Sequence, residues 1–233
     1  MSVLVPWRPD GGHRDAAWAY LRDRWAREHP GWQIVEGRAP DGAWCKAAAV
    51  GSALARADGQ LLVVADADVW TDGVAEAVEQ VAAGAPWAIP HWHVNRLTPD
   101  ATARVLAGGR LEGDIGKSRS LRWERLPYPG FPGGGMTVLT RELYVESPMD
   151  PRLLGWGQED ECWALALHTL AGAPWRGPDD LWHFYHPPQP RRSARWGSEE
   201  SRRLYVAYRI ASRNPAAMCE LLAGASCRGG MAR

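Results

Sequence analysis

Apolar positions along the chain recur with two alternating periods. Ser2–Val5 is a short β-rich run closed by Pro6. From Asp15 to His29, Trp18, Leu21 and Trp25 fall at i, i+3 and i+7, the stripe of an amphipathic helix that Pro30-Gly31 ends. Trp32–Val35 reads as a second strand with Glu36 at its end. Asp41 is placed to cap a helix over Gly42–Ala57, with Ala47, Val50 and Leu54 inward and Gly59 as the stop. Leu61–Ala65 is apolar without interruption, the mark of a strand buried on both faces. A helix over Asp72–Ala83 turns Val74, Val78 and Val81 inward, and Trp87–Pro90 is a further strand. Thr98 caps a helix that has Pro99 at its first position and stops near Gly108-Gly109. Later elements are a strand at Met136–Leu139, helices at Thr140–Glu146 and Gln158–Leu170, and a Pro-ended strand at Trp182–Pro187. A helical tail, Ser198–Ala223, is broken at Asn214-Pro215.

Strand, helix, strand, helix, strand is the order of an α/β protein with a mostly parallel central sheet and right-handed crossovers. The pattern assigns residues 1–190 to one α/β domain and residues 191–233 to a C-terminal helical extension packed on it. No G-x-G-x-x-G follows the first strand and no Walker A sequence occurs, so dinucleotide-binding dehydrogenases and P-loop enzymes lose support.

Composition changes this picture little. The 233 residues are 45% hydrophobic and 23% charged, ordinary for a globular protein with a sizeable core. Formal net charge is +0, which gives no support for a strongly electrostatic nucleic-acid binder. The four cysteines form no C-x-x-C pair, which argues against a zinc site. The N-terminus enters a strand directly, without a basic region and long apolar run, and there is no membrane span. A cytoplasmic location with reduced thiols is the simplest expectation.

Candidate chemistry concentrates where the Leu61–Ala65 strand ends, at Asp66-Ala67-Asp68. In open α/β sheets ligands bind beyond the carboxyl ends of strands, and alternate strand residues share a face. Both carboxylates can therefore reach one hard divalent cation, although an Asp-X-Asp also serves simply to end a strand and cap a turn. His91-Trp92-His93 offers either a metal pair or a strand end lining a cleft. Arg110–Gly135 loses regular pattern, and a loop this long is usually functional or mobile. Gly133-Gly134-Gly135 permits close backbone approach to a bulky group, or a flexible turn. Arg191, Arg192, Arg195, Arg202 and Arg203 form either a solvated face or a seat for an anion.

Taken in order, these segments resemble the GT-A glycosyltransferases, in particular members related to glycosyltransferase family 2 and the galactosyl- and N-acetylgalactosaminyltransferases. The resemblance covers about Val3 to Pro187. It rests on Val5-Pro6-Trp7-Arg8, Trp44-Cys45-Lys46, Asp66-Ala67-Asp68, the Gly133–Leu139 strand, Gly155-Trp156-Gly157-Gln158-Glu159-Asp160 and Leu181-Trp182-His183-Phe184-Tyr185-His186-Pro187. The chain departs from the family at Gly51, where an Asn is usual five residues after the lysine.

The resemblance implies a nucleotide-sugar donor, with UDP favoured by family habit, and Mn2+ or Mg2+. It implies Asp68 as a direct metal ligand and Asp66 at the ribose or the metal's water shell. His183 is the further ligand, with His186 as the other choice. Pro6, Arg8, Glu36, Lys46, Gly134, Gly135 and Trp156 are implied as donor-site residues. Asp160 is implied as the base of an inverting transfer, and Glu159 as a hydrogen-bonding partner of acceptor or donor sugar. Arg110–Pro132 is a candidate lid.

Two other readings remain: a nucleotidyltransferase on a similar sheet, which would release pyrophosphate, and a non-catalytic sugar- or nucleic-acid-binding module. The acceptor is left open among a glycan, a small molecule, a protein and a hydroxylated base in DNA.

Overall fold

A computed structural model describes residues 1–111, 118–122, 134–188 and 198–226. In chain order the elements are β1 (Ser2–Pro6), α1 (His13–Glu28), β2 (Gln33–Gly37), α2 (Lys46–Leu54), β3 (Leu61–Ala65), β4 (Val69–Trp70), α3 (Val74–Ala82) and β5 (Trp87–Leu97). They continue with α4 (Pro99–Leu106), β6 (Ser118–Arg122), β7 (Met136–Thr140), α5 (Arg141–Glu146), α6 (Glu159–Ala171), β8 (Trp175–His183), α7 (Glu199–Ala211) and α8 (Pro215–Ser226).

The strands form one sheet in the order β2-β1-β3-β7-β5-β8-β4, with β6 paired to β5. β2, β1 and β3 run parallel, as the alternation of elements requires, and so do β5 and β8. β7 lies antiparallel between β3 and β5, and β4 and β6 are also antiparallel to their neighbours. The sheet is thus mixed, with its parallel part limited to two blocks. Antiparallel insertion of β7 sends the chain from its glycines back along β3, which lays Gly135 beside Asp66.

Alternate residues of β3 feed two cores. Val63 and Ala65 pack with Trp18, Leu21 and Trp25 of α1 and with α3. Leu62 and Val64 pack with Val50 and Ala53 of α2 and with Trp163 and Leu167 of α6. The three-layer arrangement follows from a continuous apolar strand that must cover both faces. A third cluster joins Cys162 and Leu165 of α6 to Tyr205 and Tyr208 of α7 and Met218 of α8. The C-terminal helices therefore back the helix that carries Glu159 and Asp160.

Several boundaries differ from the sequence reading. α2 starts at Lys46, and its cap is the Cys45 sulfur, which accepts from Ala48 N at 3.4 Å; Asp41 does not cap it. Its buried face is Lys46, Ala49, Val50 and Ala53, spaced i, i+3, i+4 and i+7, with Ala47 and Leu54 only half-buried. α3 buries Ala77 and leaves Val78 half-buried. β5 continues through His91-Trp92-His93 to Leu97, and β8 begins at Trp175. Neither extension alternates cleanly, since register shifts interrupt their pairing around His91. Thr98 and Thr140 cap α4 and α5 through their hydroxyls, and Pro99 takes the first position of α4. No helix among the described residues is long and apolar enough to cross a membrane.

Candidate active site

Three local structures bring the site together at the end of β3. The first is the two-residue β4, whose Val69 and Trp70 pair with His183 and Trp182 of β8. Phe184 N donates to Asp68 O at 2.8 Å, which continues that ladder by one step. Residues 68 and 183 are thereby held side by side although 115 positions separate them in sequence. The second is the glycine turn before β7: Gly134 and Gly135 both have positive φ, +79° and +81°. Asp66 N donates to Gly135 O at 2.8 Å, and Gly135 N donates to an Asp66 carboxylate oxygen at 3.3 Å. A Cβ on Gly134 would lie 2.6 Å from Asp160 Oδ2, so only glycine leaves the carboxylate its place. The third is the N-terminus of α6, entered through Gln158 in the left-handed region at φ 77°. Glu159, Asp160 and Glu161 occupy its first turn, where the helix dipole favours negative charge.

Two charged groups result. In one, Lys46 Nζ lies 2.6 Å from Asp66 Oδ1 and 2.7 Å from Asp160 Oδ1, bridging carboxylates from two elements. Burial opposes the ammonium, but Asp160, Asp66 and Glu159 outweigh it and raise the Lys46 pKa, so the lysine stays charged. Burial raises Asp66 to about 6 against the pull of Lys46, and Asp160 and Asp68 push the same way. Burial and then the Asp160 charge raise Glu159 to about 7, although its carboxylate accepts from Gly157 N at 2.8 Å.

In the other group, Asp68, His183 and His186 each offer a ligand atom within 4.8 Å of the others, the cluster of this kind found among the described residues. Asp68 Oδ1 is 4.0 Å from His183 Nε2, and Asp68 Oδ2 is 3.4 Å from His186 Nε2. Burial raises the Asp68 pKa, but His183, Arg14, His186 and Lys46 outweigh it and hold the carboxyl below its ordinary range. Burial pushes His183 down to about 4 despite Asp68, so its ring is neutral at pH 7. His183 Nδ1 sits 2.9 Å from Phe184 O, which assigns the ring proton to Nδ1 and leaves the Nε2 lone pair facing Asp68. An imidazole lone pair and a carboxylate aimed at one point repel unless a cation lies between them. The set therefore fits a divalent metal, and its mixed oxygen and nitrogen ligation suits Mn2+ better than Ca2+.

Arg14 was not singled out by sequence pattern, since it sits among the polar residues opening α1. Its NH2 lies 3.2 Å from His186 Nε2 and its NH1 3.8 Å from Asp68 Oδ2. Its guanidinium also stacks 4.3 Å from the Trp156 ring centroid. Trp156 stacks on Trp44 at 5.7 Å and 16°, and Arg8 lies over the Trp44 ring at 5.4 Å. The contacts run Arg8–Trp44–Trp156–Arg14, and this tryptophan wall reaches the metal set through Arg14. Trp44 also lay unassigned in sequence beyond its place in the Trp44-Cys45-Lys46 motif.

The other donor-site candidates are placed as follows. Arg8 donates to Gly42 O and Pro40 O at 2.8 and 3.2 Å. Glu36 accepts from the Trp7 and Trp18 indoles at 3.0 and 2.8 Å and pairs with Arg38. Burial raises the Glu36 pKa, but these partners lower it overall. Pro6 ends β1 in register with Gly37. His91 and His93 do not join the metal-ligating cluster: His91 is fully buried, and His93 faces Asp180 at 3.4 Å. Most of the candidate lid, Gly133, and Arg191, Arg192 and Arg195 lie outside the described residues.

No protein-family model matches the chain, and no curated protein matches it in sequence. Solved structures do. GalNAc-T7 with UDP, GalNAc and Mn2+ superposes with a TM-score of 0.50 at 13% identity, over 89% of this chain and 47% of that one. The chain has the GT-A fold. It spans about half the length of GalNAc-T7. Glucosyl-3-phosphoglycerate synthase from Mycobacterium tuberculosis, with Mn2+, UDP-glucose and phosphoglyceric acid, matches over 91% of this chain and 78% of that one, with TM-score 0.45 and 16% identity. A Drosophila β-1,4-galactosyltransferase 7 with manganese, UDP-Gal and xylobiose matches over 85% and 68%, with TM-score 0.41 and 12% identity. Within this GT-A fold both charged groups lie at the carboxyl end of β3, where ligands of open α/β sheets bind.

Glu159 makes a pH prediction. Its folded-state pKa of about 7 lies above the ordinary glutamate value of 4.5, so the folded state holds this proton more tightly than the unfolded chain. Its contribution to stability is therefore present below about pH 4.5 and falls away as pH rises to about 7. In EDTA, the denaturant midpoint of the wild type should drop between pH 6 and 7.5 more steeply than that of Glu159→Gln. Parallel curves would show that Glu159 carries no such proton.

Proposed function

We propose that this protein is a metal-dependent glycosyltransferase that moves a sugar from a nucleotide-sugar, UDP-linked, to an acceptor hydroxyl. The observation that carries this reading is the meeting of the Asp68–His183–His186 set with the Asp66–Lys46–Asp160 row at one strand end of a GT-A fold. GalNAc-T7 holds UDP and Mn2+, and we carry that pair of ligands to this site.

Asp68, His183 and His186 would hold the cation. Bound there, it supplies positive charge against the growing negative charge of a leaving diphosphate, as a Lewis acid. Asp160 takes the acceptor hydroxyl proton in a direct, inverting displacement. Lys46 donates to the Asp160 carboxylate and fixes its orientation, and the glycine at position 134 leaves that carboxylate its place. Glu159, raised to about 7, is half-protonated near neutrality and can donate to a sugar oxygen as well as accept from one. Asp66, which accepts from Gly135 N, would meet the ribose or the metal's water shell.

Calorimetric titration of UDP with and without Mn2+ tests the donor site. UDP should bind only with Mn2+, and Asp68→Asn should abolish that binding. Equal affinity with and without the metal would overturn the reading and favour a metal-independent binding module. Release of pyrophosphate from a nucleotide substrate would favour the nucleotidyltransferase instead.

A further inference from the structure

We propose that Arg14 is the residue that couples metal binding to diphosphate binding: it opposes the cation when the site holds no anion and pairs with the diphosphate once the cation is in place. The inference rests on the glycosyltransferase reading for the identity of the anion, and on geometry for the rest.

The Arg14 guanidinium lies between the metal set and the Trp44–Trp156 wall. Its side chain is 14% exposed, and the nearest carboxylate among the described residues, Asp68, is 3.8 Å away, beyond hydrogen-bond length. Its Nε is buried without a hydrogen-bond partner among the described residues. Among the described residues, NH2 meets only the His186 ring, at 3.2 and 3.4 Å. A guanidinium has five N–H donors and forks naturally onto phosphate oxygens. Here it lies against the Trp156 face, while its donors go largely unused among the described residues.

Asp68 is the charge that now balances Arg14. A divalent cation on Asp68, His183 and His186 would claim that carboxylate and set a second positive centre beside the guanidinium. Arg14 therefore weakens the binding of metal alone. A diphosphate reverses the sign, because its oxygens can accept from Arg14 while they neutralise both centres. Metal then raises diphosphate affinity, and diphosphate raises metal affinity by the same factor, as linkage requires.

The test compares wild type, Arg14→Gln and Arg14→Lys by calorimetry, using Mn2+ alone, pyrophosphate with saturating Mn2+, and UDP with saturating Mn2+. Arg14→Gln should bind Mn2+ alone about 3–10-fold more tightly, since a nearby like charge has gone. It should bind pyrophosphate and UDP about 10–100-fold more weakly, the loss expected for charge-assisted hydrogen bonds. Arg14→Lys keeps the charge without the fork. It should leave Mn2+ affinity near that of the wild type and lose part of the diphosphate affinity. Mn2+ binding to Arg14→Gln that is equal or weaker, or diphosphate affinity that is unchanged, overturns the inference. Wild-type protein that binds Mn2+ and pyrophosphate cooperatively but binds no nucleotide fails the glycosyltransferase reading alone and leaves Arg14 its role. Wild-type protein that binds no Mn2+ overturns both.

Discussion

Asp160→Asn should lower turnover about 10²–10⁴-fold, the usual worth of a positioned general base. UDP affinity with Mn2+ should stay within about threefold, because Asp160 is absent from the metal set and an amide fills the same volume. Asparagine cannot accept a proton in this pH range, whereas it can still accept one hydrogen bond from Lys46. The expected loss therefore falls on kcat. It is read as UDP release from a UDP-sugar that the wild type turns over, with nucleotide affinity measured separately. Activity within tenfold of wild type would remove Asp160 from the role of base. So would a product that retains the anomeric configuration, since direct attack from a base-activated hydroxyl inverts it.

Lys46→Met should unfold more easily by about 2–4 kcal/mol at pH 8, somewhat under the range for breaking a buried ion pair. The discount reflects the 28% and 26% exposure of the Asp66 and Asp160 side chains. The methionine fills the volume of the aliphatic stem but leaves two carboxylates facing each other without a cation. Each then holds its proton to higher pH in the folded state than in the unfolded chain. A raised carboxylate pKa confers stability that is present at low pH and lost as pH rises, so the defect should shrink toward pH 5. Urea denaturation at pH 5 and pH 8 reads both the size and the slope. A loss below about 1 kcal/mol at pH 8 would show that water, rather than Lys46, neutralises the pair.

These two residues illustrate what was legible. Lys46 and Asp160 stand in motifs that can be picked out in sequence, yet nothing in a linear pattern pairs positions 46 and 160. Their bridge forms because α2 and α6 pack on the same face of the sheet, through Val50, Ala53, Trp163 and Leu167. Arg14 was invisible for a different reason: it sits in a polar helix start, where an arginine is unremarkable. Asp41 looks like a better cap than a cysteine, so the sequence pattern starts α2 earlier than the structure does. β5 runs past its sequence signal, and β8 begins before its own and stops at His183 rather than Pro187, because register shifts break the alternation on which strand recognition depends.

The sequence by itself determined the α/β order of elements, the doubly buried β3 and the carboxylates at its end. Those follow from hydrophobic period and local turn chemistry, which act between near neighbours. Tertiary structure alone decided the antiparallel insertion of β7, the β4–β8 ladder that sets His183 beside Asp68, and the placing of Arg14 between metal set and tryptophan wall. Charges separated by more than a hundred residues acquire a common site only when sheet register and helix packing close the distance.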